Sequence, residues 1–322
     1  MKARLLPYLA CPDCRGDIEA DFVEELEEGE LACSGCQRVF PVSGGVPSLL
    51  PSEINVEATK VASQFAEQWK HYDERRAEYR QQFLDWISPV TADFFKGKVV
   101  LDGGCGKGRH LLASSDFEPE MIIGVDLGEA AYVAKAATRD NPAVEVVRGD
   151  MLCLPFKDEV IDYAFSVGVL HHLPDPQGGF KELTRTVKSD GHVSAWVYGL
   201  ENNEWIVTYV DPFRKNVSGK LPRGVLRTLS SFLAAFLQVV IHGVYKPLHS
   251  LFPTLSLPIK DYLLYISRFP HREIEVIVYD QLNPQIAFYL PRDHFETWFQ
   301  ELSEVEINWH NSNSWRGFAK KP

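Results

Sequence analysis

Positive charge is scarce in this chain. Among 322 residues, 33 Lys and Arg stand against 44 Asp and Glu, a formal net charge of −11. Proteins that bind mainly through phosphate contacts are usually basic, so the balance disfavours nucleic acid as a partner overall. The opening Met1-Lys2-Ala3-Arg4-Leu5-Leu6-Pro7 leads into no apolar run with a small-residue cleavage site. No secretory signal is therefore expected, and the cytoplasm is the expected compartment. Low-complexity and collagen-like readings fall with the ordinary counts of Gly (22) and Pro (20). A hydrophobic share of 45% excludes wholesale disorder, and the length suggests about two domains. Two shortages are local. No Lys or Arg interrupts Asp17, Glu19, Asp21, Glu24, Glu25, Glu27, Glu28 and Glu30, and no Asp or Glu occurs from Pro212 to Lys260.

In a reducing compartment, paired cysteines read as metal ligands rather than disulfides. Cys11-Pro12-Asp13-Cys14 and Cys33-Ser34-Gly35-Cys36 form two C-x-x-C pairs separated by 18 residues, within the spacing of a zinc site. Two thiolates on each tight turn can reach one tetrahedral metal at about 2.3 Å. Four thiolates leave no open position, so one structural Zn2+ is expected, bound by Cys11, Cys14, Cys33 and Cys36, with Cys105 and Cys153 free. The acidic stretch between the pairs reads as a solvated hairpin tip that repels phosphates.

Further along, Phe65, Trp69 and Tyr72 recur at helical spacing, which predicts a helix with an aromatic, core-facing stripe. Lys98-Val99-Val100-Leu101-Asp102 then has the continuous apolar pattern of a buried parallel strand. Gly103-Gly104-Cys105-Gly106-Lys107-Gly108 follows at once, and a helix begins at Arg109. Strand, glycine turn and helix together form a setting in which backbone approaches a ligand closely. The next strand, Met121 to Asp126, ends in an acid placed to accept from ribose hydroxyls. Asp102, at the end of its own strand, would face a pyrophosphate badly and suits a cationic, methionine-type ligand. Asp150 beside Met151 can bind an adenine amino group and pack its ring. Strands are also expected at 144–147, 160–166 and 192–198, with closing strands at 305–307 and 315–318.

V-L-D-x-G-C-G-x-G, the V-D of the second strand, G-D-M, L-P-F at Leu154-Pro155-Phe156 and V-L-H-H-L at Val169 to Leu173 occur in order. In this the chain resembles the class I S-adenosylmethionine-dependent methyltransferases of the type 11 kind. The resemblance implies a Rossmann-like, doubly wound α/β domain, S-adenosyl-L-methionine as cofactor and S-adenosyl-L-homocysteine as product. It also implies cofactor contacts from Asp102, Gly104, Cys105, Gly106, Asp126, Leu127, Asp150, Met151, Ser166, Val167 and His171, with Trp69 and Tyr72 as further candidates on the preceding helix. His171 is the candidate general base, and Asp280 an acceptor-site candidate. The first fifty residues, with C-P-x-C, C-x-x-C, F-P-V, G-V-P and L-L-P, resemble the zinc-ribbon family of the small activator subunit of tRNA and protein methyltransferases. That family implies a platform for a partner protein, here fused to its own enzyme.

The implied layout is a zinc ribbon at 1–52, linker helices or a lid at 53–95, the methyltransferase domain at 96–199 and 284–322, and a helical insertion at 200–283. The insertion is the expected acceptor cap. Its cations Arg214, Lys215, Lys220, Arg223, Arg227, Lys246 and Lys260 and its uncharged run from Leu229 to Tyr245 suggest peripheral contact with an anionic membrane through 212–260. Leu226, Leu229, Leu233, Phe236, Leu237, Val240 and Val244 are expected to form one stripe facing the catalytic domain. On these grounds the expected reaction is methyl transfer to a small-molecule or lipid-like acceptor. An RNA- or protein-directed methyltransferase using the ribbon for docking is the alternative.

Overall fold

The computed structural model describes residues 1–69, 78–255, 257, 259–283 and 286–322; of residues 63–69, 78, 79 and 261 it describes backbone alone. The chain divides into two compact units. One comprises Met1–Val197, Arg292–Asn308 and Trp315–Pro322, and the other Tyr198–Pro291 with Trp309–Ser314.

The first unit opens with a small sheet of four strands, β1 (Ile18–Glu19), β2 (Gly29–Cys33), β3 (Val39–Ser43) and β4 (Val46–Pro47), paired antiparallel in that order. Alternation in β3 buries Phe40 and Val42 and exposes Val39, Pro41 and Ser43, the period of a sheet with one wet face. The acidic residues from Asp17 to Glu30 are exposed. Two helices follow, α1 (Val56–Trp69) and α2 (Glu78–Trp86). Asn55 caps the first, its Oδ1 accepting from the Glu57 and Ala58 amides at 2.8 and 3.2 Å.

The larger sheet is built from β5 (Val99–Gly103), β6 (Met121–Asp126), β7 (Val144–Arg148), β8 (Ile161–Val167), β9 (Val187–Tyr198), β10 (Ser303–His310) and β11 (Ser314–Lys320). Its order is β10-β11-β9-β8-β5-β6-β7. The pairs β5–β6, β6–β7, β5–β8 and β8–β9 are parallel. Helices α3 (Arg109–Ser115), α4 (Ala130–Ala137), α5 (Pro176–Thr186) and, after the second unit, α11 (Arg292–Thr297) complete this unit. Strand order reverses beside β5, and the glycine turn leaves the carboxyl end of that strand, where open α/β sheets bind ligands. All of β5 is buried, as its unbroken apolar run requires. Phe83, Phe95, Phe117 and Phe165 form an aromatic cluster beneath it, with Phe83 and Phe165 ring centroids 5.1 Å apart.

The ribbon packs on the β7 edge of this sheet. Ser48 bridges Arg148 in parallel, and the Leu49 amide donates to the Arg148 carbonyl at 2.8 Å. Glu145 of β7 is fully buried beneath the ribbon, with Lys135 at 3.6 Å and Arg4 at 3.7 Å. A carboxylate without solvent needs such cations beside it.

In the second unit, α6 (Asp211–Asn216), α7 (Arg223–Val240), α8 (Lys246–Leu251), α9 (Lys260–Ile266) and α10 (His271–Leu282) form a helical body. The expected stripe on α7 is corrected here. Its buried face carries Leu226, Ser230 and Ala234 and continues to Ile241, and it packs on α10 within the same unit. Small side chains in the middle of that face let the two helices approach closely. Leu233, Phe236 and Val244 of the expected stripe are exposed instead, along with Phe232 and Val239. By length and composition the run Arg223–Leu251 is apolar enough to cross a membrane.

Candidate metal centre and cofactor site

The first knuckle and its counterpart share one backbone plan. The Arg15 amide donates to the Cys11 carbonyl at 2.9 Å, and the Gln37 amide to the Cys33 carbonyl at 3.0 Å. Both turns end in a left-handed residue, Arg15 at φ 63° and Gln37 at φ 61°. The four ligand atoms of Cys11, Cys14, Cys33 and Cys36 lie within 4.8 Å of one another. Cys11 and Cys36 sulfurs are 3.7 Å apart, and those of Cys14 and Cys33 3.4 Å. Bonds of about 2.3 Å in a tetrahedron put sulfurs a little under 4 Å apart, so the set fits Zn2+. Gly16 and Gly35 leave the room this needs, since a Cβ on either would stand 3.3 Å from the Cys14 sulfur.

At the cofactor end, Asp102 closes a fully buried strand and is itself 1% exposed. Neither of its carboxyl oxygens has a hydrogen-bond partner among the described residues. Burial pushes its pKa well above the usual carboxylate range; Asp126 adds to this and Arg109 opposes it. An acid held this way lacks the hydrogen-bond donor that normally accompanies burial, and Arg109 only partly offsets its burial. The amino group and sulfonium of S-adenosylmethionine would supply a donor and further positive charge. The turn beside it is shaped for close approach: Gly104 has φ 80°, and a Cβ there would fall 2.5 Å from Val169. Both the Gly104 and Cys105 amides donate to the Val125 carbonyl, at 2.8 and 2.9 Å, which folds the turn back onto β6.

Asp126 ends β6 and accepts from the Gly106 amide at 3.0 Å and the Gly128 amide at 2.8 Å. Burial raises its pKa against those two donors and Arg148. Its carboxylate thus ties the glycine turn to the next strand, and its remaining lone pairs can serve ribose hydroxyls. Leu127 follows, its carbonyl accepting from Arg148 Nε at 3.1 Å. Asp150 is 4% exposed and accepts from the Leu152 amide at 2.9 Å. Met151 packs against Gly103, its Cε 2.7 Å from where a Cβ would stand. Ser166 is fully buried and donates to the Gly103 carbonyl at 2.8 Å, so its hydroxyl pins the turn. Val167 is buried in the same core, as is Cys105, whose thiol is pushed well up in pKa by burial and then by Asp126 and Asp102.

His171 and His172 are both buried, and their rings lie 4.2 Å apart, in contact rather than pointing apart as neighbouring residues would in a strand. A tight 3-10 turn from Leu170 to His172 brings them together. Trp196 stands 6.3 Å from His171. Asp280 belongs to the second unit, where its charge adds to the burial that raises the phenol pKa values of Tyr198 and Tyr262. The side chains of Phe65, Trp69 and Tyr72 lie outside the described residues.

Residues 101–195 match the family model described as a methyltransferase domain, and residues 2–45 match that of the Trm112p-like protein. The chain joins these two domains. It therefore carries a methyltransferase domain of the S-adenosylmethionine-dependent fold and a four-cysteine group that fits zinc. The tRNA (carboxymethyluridine(34)-5-O)-methyltransferase of Arabidopsis thaliana is 34% identical over 131 residues, 38% of this chain and 30% of the relative. The enzyme of the same description in Saccharomyces cerevisiae is 32% identical over 108 residues, 32% of this chain and 36% of the relative. A chain from the complex of the Haloferax volcanii Trm112 methyltransferase activator with a methyltransferase is 27% identical, with a TM-score of 0.36; the match covers 42% of this chain and 60% of that one. The chain spans between 30% and 65% of the length of the first curated relatives it matches.

These relatives overturn the expectation of a small-molecule or lipid-like acceptor, since both curated descriptions specify tRNA. The expected contact of 212–260 with anionic membrane is corrected too. Arg214 is fully buried and paired with Asp211, Lys215 pairs with the same Asp211 at 2.7 Å, and Lys260 donates to the Pro253 and Leu255 carbonyls. Arg214 is thereby withdrawn from solvent altogether, and the relatives' descriptions name tRNA rather than lipid. Sequence reasoning also missed Val169, which sets the need for Gly104, and the pairing of Arg15 with Glu182 at 3.0 Å. Val169 was visible only as the first residue of V-L-H-H-L, and Arg15 as one cation in a loop.

Proposed function

We propose that this chain methylates tRNA, taking the methyl group from S-adenosylmethionine, with the Trm112p-like domain as a built-in docking and stabilising module. The observation that carries this reading is the likeness of the methyltransferase domain to enzymes described as tRNA (carboxymethyluridine(34)-5-O)-methyltransferases. The ribbon match and the ribbon's packing on β7 support it.

The chemistry follows from that acceptor class. When bound, the cofactor supplies an electrophilic methyl on a positively charged sulfur. A 5-carboxymethyl group on uridine is ionised at neutral pH, so one of its oxygens can attack that methyl directly. Such a transfer would form a bond from carboxylate oxygen to methyl carbon and break that from sulfur to methyl, with the electron pair left on sulfur. No proton moves, so no general base is required. His171 then serves the shape of the site, and the chain's task is positioning. Asp102 would face the cofactor's cationic end, Asp126 the ribose and Asp150 with Met151 the adenine. The reading implies a cytoplasmic enzyme.

Incubation with methyl-labelled S-adenosylmethionine, bulk tRNA and a lipid extract tests it. Label should appear in tRNA. Label confined to lipid, or absent from tRNA while the cofactor binds, would contradict the reading.

A further inference from the structure

Leu154 lies in the loop that follows β7, four residues after Asp150. Both of its peptide groups are held from outside the loop. Its amide donates to Glu182 Oε2 at 2.9 Å, and its carbonyl accepts from Arg15 Nη1 at 2.8 Å and from Arg185 Nη2 at 3.1 Å. Arg15 Nη2 also reaches Glu182 Oε2 at 3.0 Å, and Arg185 grips the same carboxylate twice, at 2.9 Å each. Burial raises the Glu182 pKa, but the bonds from Arg185 and Arg15 hold it below the ordinary range. The neighbours of Leu154 are tied to the ribbon as well. Cys153 donates its thiol to the Pro12 carbonyl, the Ala10 amide donates to the Pro155 carbonyl at 3.0 Å, and the Lys157 amide to the Tyr8 carbonyl at 2.9 Å.

Every ribbon residue in these contacts lies between Tyr8 and Arg15, a segment that includes Cys11 and Cys14. Arg15 occupies the left-handed position that closes the knuckle, a conformation disfavoured for a side chain with a Cβ. A metal across Cys11 and Cys14 would hold that turn shut and so aim the guanidinium. At the loop's other end, the Cys153 amide donates to the Asp150 carbonyl at 3.0 Å, and the Leu152 amide to the Asp150 side chain. One chain of contacts therefore runs from the cysteine knuckle through Leu154 to Asp150.

We propose that Arg15 and Glu182 are positioning residues that couple metal occupancy of the four-cysteine centre to cofactor binding. With metal bound, the knuckle holds the Asp150 turn in its adenine-accepting shape; without it, the turn loosens. Coupling free energy is reciprocal, so the cofactor must equally retard loss of the metal. The inference rests on the cofactor reading of Asp150 given above.

The test uses the full chain loaded with zinc. Calorimetry gives the affinity for S-adenosylhomocysteine, and a chromogenic chelator reads zinc release with and without it. In wild type, saturating S-adenosylhomocysteine should slow zinc release several-fold. Arg15→Ala should keep a full zinc complement by elemental analysis, bind S-adenosylhomocysteine about tenfold more weakly and release zinc at a rate that ignores it. Glu182→Gln should do the same more mildly, and provides the reading should Arg15→Ala fail to fold. A merely structural role would lower the melting temperature but leave the cofactor's effect on zinc release intact, and that outcome overturns the proposal. Absence of any binding by wild type would instead overturn the cofactor reading beneath it.

Discussion

Asp102 is the residue on which the cofactor reading can be tested most sharply. Its pKa is raised well above the usual carboxylate range, chiefly by burial. Below that raised pKa the group is neutral and offers little to a cation; above it, the charged form attracts one. Affinity for S-adenosylmethionine should therefore rise with pH through this window, and binding at its lower edge should release a proton. Calorimetry in two buffers of different ionisation enthalpy measures that proton, and Asp102→Asn should remove both effects. The same raised pKa makes the unliganded fold lose stability as pH rises from the unfolded to the folded value. At the metal centre, Cys33→Ser should abolish stoichiometric zinc by elemental analysis. Unfolding of the ribbon should accompany it, since closed sites of this kind contribute their binding energy to folding. The four cysteines of the metal centre, and the acids at the ends of their strands, were legible because their spacing is dictated by covalent geometry. Two cysteines on one tight turn, or an acid at the end of an apolar strand, have few alternative uses. Arg15 and Glu182 were not legible, because their partnership spans 167 positions and involves backbone of a third segment.

At the scale of elements, the parallel strands could be read directly, since a strand buried on both faces has no polar alternation to confuse it. The short apolar runs at β5, β6 and β8 sit within a residue of their expected bounds. Helix α7 could not be read so well. It is apolar around much of its circumference, so periodicity left the buried face open. Size decided it: Ser230 and Ala234 lie against α10 while Phe232 and Phe236 stand in solvent. Ala234→Leu should thus destabilise the helical unit by about 1–3 kcal/mol through overpacking. Phe236→Ser, 66% exposed in the native residue, should change stability by no more than about 0.5 kcal/mol. Chemical denaturation of both variants compares them; equal effects would mean the packing face is wrong.

Across the whole molecule, net charge was the least informative quantity. A value of −11 pointed away from a polyanionic substrate, yet the relatives' descriptions point to tRNA. Eight of the 44 acidic residues lie on the ribbon between Asp17 and Glu30, where they are exposed and can lie clear of any phosphate. Binding of tRNA should accordingly be salt-sensitive but with a shallow slope, reflecting few phosphate contacts. The most direct test of the account is nucleoside mass spectrometry. Transfer RNA carrying 5-carboxymethyluridine is incubated with the protein and S-adenosylmethionine, digested and resolved. The account predicts that this nucleoside declines as its methyl ester appears, and that mild alkali reverses the change. An unchanged nucleoside profile, from protein that binds S-adenosylhomocysteine normally and carries its zinc, would contradict it.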